Sequence, residues 1–279
     1  MSQDGLPDPL LEGLPKSLGV DPSEDARILS RLVELQVHAR QTDALLQRLA
    51  RSGQIRPLPE TGRSRAATVG AGFSLEPGDW LFGTARDWPA ALARGLSHEQ
   101  LLMQATGRRH ERTLPGAIFS RELGISLSEG SHGGHVAEAV GFGVAANRRG
   151  SGQIAICCLG SGTLTLPETT AALVWAIETR ARVIFLLRGP RASIERLVLM
   201  HRVPVSPDSA HKVYWALEEA RTSRPGLPLL IDARHGQGEG DPLDALELQK
   251  RGLLSPELER ALAAEVKTAL DKARDAVGV

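Results

Sequence analysis

Two continuous apolar runs, residues 154–159 and 183–187, bracket a stretch in which Ala172, Leu173, Ala176 and Ile177 recur at helical spacing. A short unbroken apolar run marks a strand covered on both faces, and a 3.6-residue period marks an amphipathic helix. The segment therefore predicts strand, turn, helix and strand, the βαβ unit of a parallel sheet. The first run closes in Cys158-Leu159-Gly160-Ser161-Gly162, a Gly-x-Gly turn at the carboxyl end of a strand, where open α/β sheets place their ligands.

Further helices are expected on either side of this unit. Residues 24–52 carry Ile28, Leu32, Leu35, Leu45, Leu46 and Leu49 as one apolar stripe. Ser97 and Gln100 have capping-box spacing and predict a helix through Gln104. Ser209 begins a helix through Arg221, and Ser255-Pro256-Glu257 begins a last one ending near Ala276. Residues 56–65 and the basic stretch 108–121 read as connectors. Residues 1–23, rich in Pro, Gly and acid, read as a flexible N-terminal arm, leaving 24–279 as a single α/β domain.

Composition narrows the classes. A chain of 279 residues with 42% hydrophobic content can bury one substantial core. Its 33 basic and 33 acidic residues create no field that selects nucleic acid or membrane. The two cysteines, Cys157 and Cys158, are adjacent on a predicted strand, so they point to opposite faces and cannot form an ordinary bridge. That points to a reducing, cytoplasmic setting. No apolar run approaches a membrane span of roughly 20 residues, and the acidic start, with Asp4, Asp8 and Glu12, lacks the features of a signal peptide.

The turn and its flanks resemble the cofactor motif of a known family, the alpha subunits of thiamine-diphosphate-dependent 2-oxoacid dehydrogenase decarboxylating components (pyruvate and branched-chain). The family motif is Gly-Asp-Gly followed by a later Asn, whose oxygens hold the magnesium that carries the diphosphate. Laid on it without a gap, the Asp falls on Ser161 and the Asn on Gly189. Residues 71–80, Leu92-Ala93-Arg94-Gly95 and Leu101-Leu102 resemble the family's segment entering the active site. Residues 139–147 resemble its small-residue helix, with Ala137 where a Pro is usual, and 229–234 with 240–242 resemble its last strand and closing loop. The family's Thr-Tyr-Arg-Glu-His-Gly reads here Thr84-Ala85-Arg86-Asp87-Trp88-Pro89, so that only Thr84 and Arg86 match. The loop His that approaches the diphosphate has no clean counterpart in residues 235–239, and residues 190–204 are shorter than the family's segment after the Asn.

The resemblance implies a thiamine-diphosphate-binding fold, shortened after the second strand of the motif. The positions matched to cofactor-binding residues are Gly160, Ser161, Gly162, Gly189 and Arg86, retained without the metal ligands. With a hydroxyl and a hydrogen atom in place of a carboxylate and an amide, and Arg86 the sole matched charged donor, neither cofactor nor metal is expected, and no catalytic residue is assigned. In the family, moreover, the Glu that activates the aminopyrimidine comes from the beta subunit. The leading expectation is a degenerate alpha-like protein, structural or regulatory, assembling with a beta-like subunit or with itself, as a dimer or heterotetramer. Gly141, Gly143, Ala145 and Ala146 would offer that assembly a small-residue surface. Two alternatives stay open: an active thiamine-diphosphate and magnesium enzyme with an altered metal site, and a small-molecule sensor reusing the emptied cleft. A cleft open near Arg86 favours the sensor; one plugged by Trp88 does not. His132 and His135 resemble a metal pair but lack a third ligand. Arg108, Arg109, His110 and Arg112 read as a solvated loop before an anion site.

Overall fold

The computed structural model describes residues 23–55, 61–107, 117–128, 133–191, 200–223, 228–236 and 243–279. Its centre is a seven-stranded sheet. The strands are β1 (Trp80–Thr84), β2 (Ile118–Ser120), β3 (Ile125–Ser128), β4 (Ala155–Gly160), β5 (Val183–Pro190), β6 (Arg202–Pro204) and β7 (Leu229–His235). They lie in the order β2-β3-β1-β4-β5-β7-β6, all parallel except the edge strand β2. The helices are α1 (Glu24–Arg51), α2 (Arg65–Phe73), α3 (Trp88–Ala93), α4 (His98–Ala105), α5 (Gly134–Arg149), α6 (Pro167–Thr179), α7 (Ala210–Ser223), α8 (Leu243–Lys250) and α9 (Pro256–Val277). This is the α/β, helix-flanked parallel sheet that the two apolar runs imply.

Both runs are strands because both of their faces are covered. Ile156 and Cys158 of β4 belong to the larger core under α1, α2, α3, α4, α7, α8 and α9, whereas Ala155, Cys157 and Leu159 belong to a second core under α5 and α6. The adjacent cysteines thus point to opposite faces, as strand geometry requires. Burial pushes both thiols well above their ordinary range, so they are packing groups and not thiolates.

The start signals read from the sequence work as expected. Ser97 accepts from the Gln100 amide at 3.1 Å while Gln100 returns a bond to the Ser97 amide at 3.0 Å. Ser255 caps α9 through the Leu258 amide, and Ser209 caps α7 through the Lys212 amide. Of the proposed arm 1–23 only Ser23 lies within the described residues, where it caps α1 through the Ala26 amide.

Other elements had no clear sequence signal. Part of the connector 56–65 becomes a 3-10 turn (Gly62–Ser64), and α2 begins at Arg65. A second 3-10 turn, Ala85–Asp87, follows β1, and residues 202–204 of the shortened segment form the edge strand β6. The small-residue surface divides in two. Gly143 and Ala146 are buried, and a Cβ on Gly143 would stand 3.0 Å from the Arg182 backbone, so Gly143 serves packing within the chain. Gly141 and Ala145 lie on the other side of α5, half-buried.

Asp79 fixes the amino ends of the central strands. It is 2% exposed, accepts from the Ile154 amide at 2.8 Å, and pairs with Arg221 at 2.7 Å. From β1 the chain proceeds to β3 on one side and then to β4, β5 and β7 on the other, so the strand order reverses between β1 and β4. The carboxyl ends of those two strands are where a sheet of this kind binds ligands.

Candidate functional site

The segments that end β1, β4 and β5 meet at this switch point. Ser161 and Gly189 face each other, since a Cβ on Gly189 would stand 3.3 Å from Ser161 Oγ. Gly160 pairs with Arg188 in the β4–β5 register, and a Cβ on Gly160 would stand in ordinary contact with the Arg188 guanidinium, 3.8 Å from Nη1. Gly189 has φ of 101°, a conformation that side chains rarely adopt. Gly162 and Arg86 are exposed at the same end of the sheet. Gly160, Ser161 and Gly189 are therefore brought together, while Arg86 points to solvent from the turn after β1.

Two residues that the sequence reading passed over dominate the site. Asp87 is 0% exposed and Arg188 is 3% exposed. Arg188 Nε donates to Asp87 Oδ1, and Nη2 donates to Asp87 Oδ2 at 2.6 Å, a bidentate pair across β1 and β5. Thr84 completes it. Its hydroxyl accepts from Arg188 Nη2 at 3.1 Å, and its amide and hydroxyl both donate to Asp87 Oδ2, at 2.9 and 3.1 Å. Burial alone would lower the Arg188 pKa; the Asp87 carboxylate more than offsets this and raises it, so the guanidinium is a permanent cation. The available signals were a charged residue ending an otherwise apolar strand, Val183-Ile184-Phe185-Leu186-Leu187-Arg188, and the Thr84-x-x-Asp87 spacing of a capping box.

Two further side chains beside the pair are buried. Trp88, next to Asp87, is fully buried among the helices of the larger core, and its indole N–H has no acceptor among the described residues. His135 is fully buried at the start of α5, with Nε2 3.0 Å from the Cys158 carbonyl oxygen. Because that carbonyl can only accept, Nε2 carries the proton, and burial lowers the pKa so that the ring is neutral. His132, Arg108, Arg109, His110 and Arg112 lie outside the described residues. Among the described residues no three His, Cys, Asp or Glu side chains are grouped to hold a metal ion.

These groups do not fit a magnesium–diphosphate pair. Ser161 offers one neutral hydroxyl and Gly189 offers no side-chain ligand. The Arg188 guanidinium and the Asp87 carboxylate neutralise each other in their bidentate pair, so neither is a free charge for a dication or for a diphosphate. The charges that a cofactor needs from its site are already spent on each other. Neighbouring arginines are engaged too, Arg234 with Asp232 at 2.8 Å and Arg63 with Asp208 at 2.5 Å.

The architecture is that of the α/β class with the thiamine-diphosphate-binding fold. Two transketolase structures show the same fold: that from Campylobacter jejuni, with TM-score 0.55 and 17% identity, covering 88% of this chain and 47% of the other, and that from Pichia stipitis, with TM-score 0.52 and 14% identity, covering 90% and 45%. The family model described as "Dehydrogenase E1 component" matches residues 33–188, more than half of the chain, and the chain belongs to that family. It is similar to the 3-methyl-2-oxobutanoate dehydrogenase subunit alpha of Mycobacterium tuberculosis, 26% identical over 181 residues, which cover 65% of this chain and 47% of the relative. It is also similar to the mitochondrial 2-oxoisovalerate dehydrogenase subunit alpha of Caenorhabditis elegans, 22% identical over 235 residues, 76% of this chain and 54% of the relative. The chain thus spans about half the length of these curated relatives. Among the described residues no helix is long and apolar enough to cross a membrane.

Proposed function

We propose that this protein is a cofactor-deficient relative of the E1 alpha subunits, with a structural or regulatory role exerted through assembly with a beta-like subunit or with a second copy of itself. The observation that carries this reading is the buried Arg188–Asp87 pair, set between Thr84, Gly160 and Gly189. A diphosphate brings two to three negative charges, and moving them out of water is costly unless cations and donors compensate. Here the buried cation already has its carboxylate. The residues matched to cofactor binding, Gly160, Ser161, Gly162, Gly189 and Arg86, are on this reading vestigial.

Family membership supports one other reading, an active alpha-like subunit that binds thiamine diphosphate and magnesium through a rearranged site. Calorimetric titration of magnesium and thiamine diphosphate into the purified chain separates the two. The proposal expects no saturable heat at micromolar concentrations, and a stoichiometric micromolar site would defeat it. The assembly role is tested by affinity purification from the native cell followed by mass spectrometry. Recovery of a beta-like subunit or of untagged copies of the chain is the expected result; recovery of neither overturns that role.

A further inference from the structure

His211, in the first turn of α7, makes two contacts through a single ring nitrogen. Its Nε2 lies 2.8 Å from Asp25 Oδ1 of α1 and 3.0 Å from the indole Nε1 of Trp215, four residues on in α7. The two contacts demand opposite states of that nitrogen. An indole N–H can only donate, so Trp215 needs a lone pair on Nε2, which exists only in the neutral ring protonated at Nδ1. A carboxylate can only accept, so Asp25 needs a proton on Nε2. Asp25 is a carboxylate, because the Arg251 guanidinium, 2.7 Å from Oδ2, holds its carboxyl below the ordinary range, with His211 adding to the effect. An imidazole nitrogen offers one direction for bonding, as proton or as lone pair, so the two partners exclude each other.

We propose that His211 is a proton-operated switch between two partners, Trp215 when the ring is neutral and Asp25 when it is charged. The neutral state is an i, i+4 bond within α7 that holds the 42% exposed indole against its own helix. The charged state is an ion pair between α7 and the first turn of α1, and it releases the indole N–H to water. Four charged groups besides Asp25 lie around this pair. Arg251 stands behind Asp25 and also pairs with Glu247 at 3.0 Å, Asp244 at the start of α8 accepts the His211 amide at 3.3 Å, and Lys212 is the next residue of α7. From α2, which packs on the same turn of α7, the contact is the uncharged Gly70 against the Ala210 backbone. A cation in a first turn opposes the helix dipole, so the charged ring depends on Asp25 for its compensation. Acidification therefore exchanges an anchored surface indole for a free one and adds a tie between α1 and α7. The switch goes beyond the proposed function and depends on neither its cofactor half nor its assembly half.

A pH series of nitrogen-edited NMR spectra on the isotope-labelled full chain, from about pH 8 to about pH 5 where imidazoles titrate, tests this. The chain has four tryptophans, so the loss of one indole signal in Trp215→Phe assigns the residue, and His211→Gln assigns the His211 ring in the same way. As the pH falls, the Trp215 indole signal should move from a hydrogen-bonded to a water-exposed position, with the same midpoint as the His211 ring nitrogens. Asp25→Asn should lower that midpoint by about one pH unit, since an adjacent carboxylate favours the charged ring. Trp215→Phe should raise the midpoint of the His211 ring by about half a unit, because the neutral ring loses its donor. Opposite shifts from two substitutions at one nitrogen are a readout that a merely structural contact does not produce. Both side chains are more than a third exposed, so neither substitution opens a cavity in the core. An indole signal that stays fixed while His211 titrates, or midpoints that move the same way or not at all in the two variants, overturns the switch.

Discussion

Replacing Arg188 with Met removes the charge but keeps most of the side chain's length, and the structure sets the expected cost. Asp87 then remains 0% exposed with two donors from Thr84 and no counter-charge. Breaking a buried pair by deleting one partner costs about 3–5 kcal/mol, and the remaining Thr84 bonds place this case near the lower bound, about 3 kcal/mol. Against a total stability of roughly 5–15 kcal/mol for a folded protein, that is a large fraction. Removing both charges, Asp87→Leu with Arg188→Met, orphans only the Thr84 donors and should cost about 1–2 kcal/mol.

Urea unfolding of wild type, both single variants and the double variant closes a double-mutant cycle. The expected coupling is about 4 kcal/mol or more, since each single variant loses about 3 kcal/mol and the double variant only about 1–2 kcal/mol, and the double variant should be more stable than Arg188→Met alone. Additive losses, or an Arg188→Met variant within about 0.5 kcal/mol of wild type, the range of ordinary surface substitutions, would refute the claim that this pair closes the site. They would also remove the main support for a cofactor-deficient protein.

Three other outcomes are expected. Ser161→Asp with Gly189→Asn should not create magnesium-dependent thiamine-diphosphate binding in calorimetry, because Gly189 has φ of 101°, its Cβ would stand 3.3 Å from Ser161 Oγ, and Arg188 keeps its charge beside it; a saturable site in the double variant would count against that reading. Phe185→Asp places an unpaired carboxylate at a position of 0% exposure in β5, so no soluble, cooperatively melting protein is expected from expression trials. His98, whose Nε2 lies 3.4 Å from His38 Nδ1, has its pKa lowered by burial from 6.5 to about 4. The unfolded chain then binds a proton that the folded chain refuses, so stability falls as pH drops from about 6.5 to about 4 and this contribution is flat below; partial exposure limits it to roughly 1–2 kcal/mol. Urea titrations at a series of pH values should give His98→Gln a shallower slope in that window, and an unchanged slope would show that His98 is not the group responsible.

How much of this could be read from residues alone follows from the range over which each signal acts. Strands β4 and β5, their parallel pairing and the caps of α4, α7 and α9 depend on neighbours a few positions apart, so periodicity and the local start signals at Ser97, Ser209 and Ser255 expose them. The facing of Ser161 and Gly189 was legible as well, because a βαβ unit carries the first strand end beside the second. Gly143 and Gly141 stand two positions apart and look alike in the sequence; only the wheel of α5 against β5 separates a packing glycine from an outward one. The Arg188–Asp87 pair joins residues 101 positions apart, and no local pattern fixes which buried charge meets which. A charge at the end of an apolar strand does state a requirement, since a guanidinium buried at β5 must find a carboxylate or the strand would not hold it there. Among segments converging on the switch point, Asp87 meets that requirement from the turn after β1. The departures from the family pattern are therefore not independent losses. A side chain at position 189 would crowd Ser161, and the neighbouring Arg188 is satisfied by Asp87. Ser161 thus fits Gly189 and Arg188 fits Asp87, as the proposed loss of the cofactor site expects.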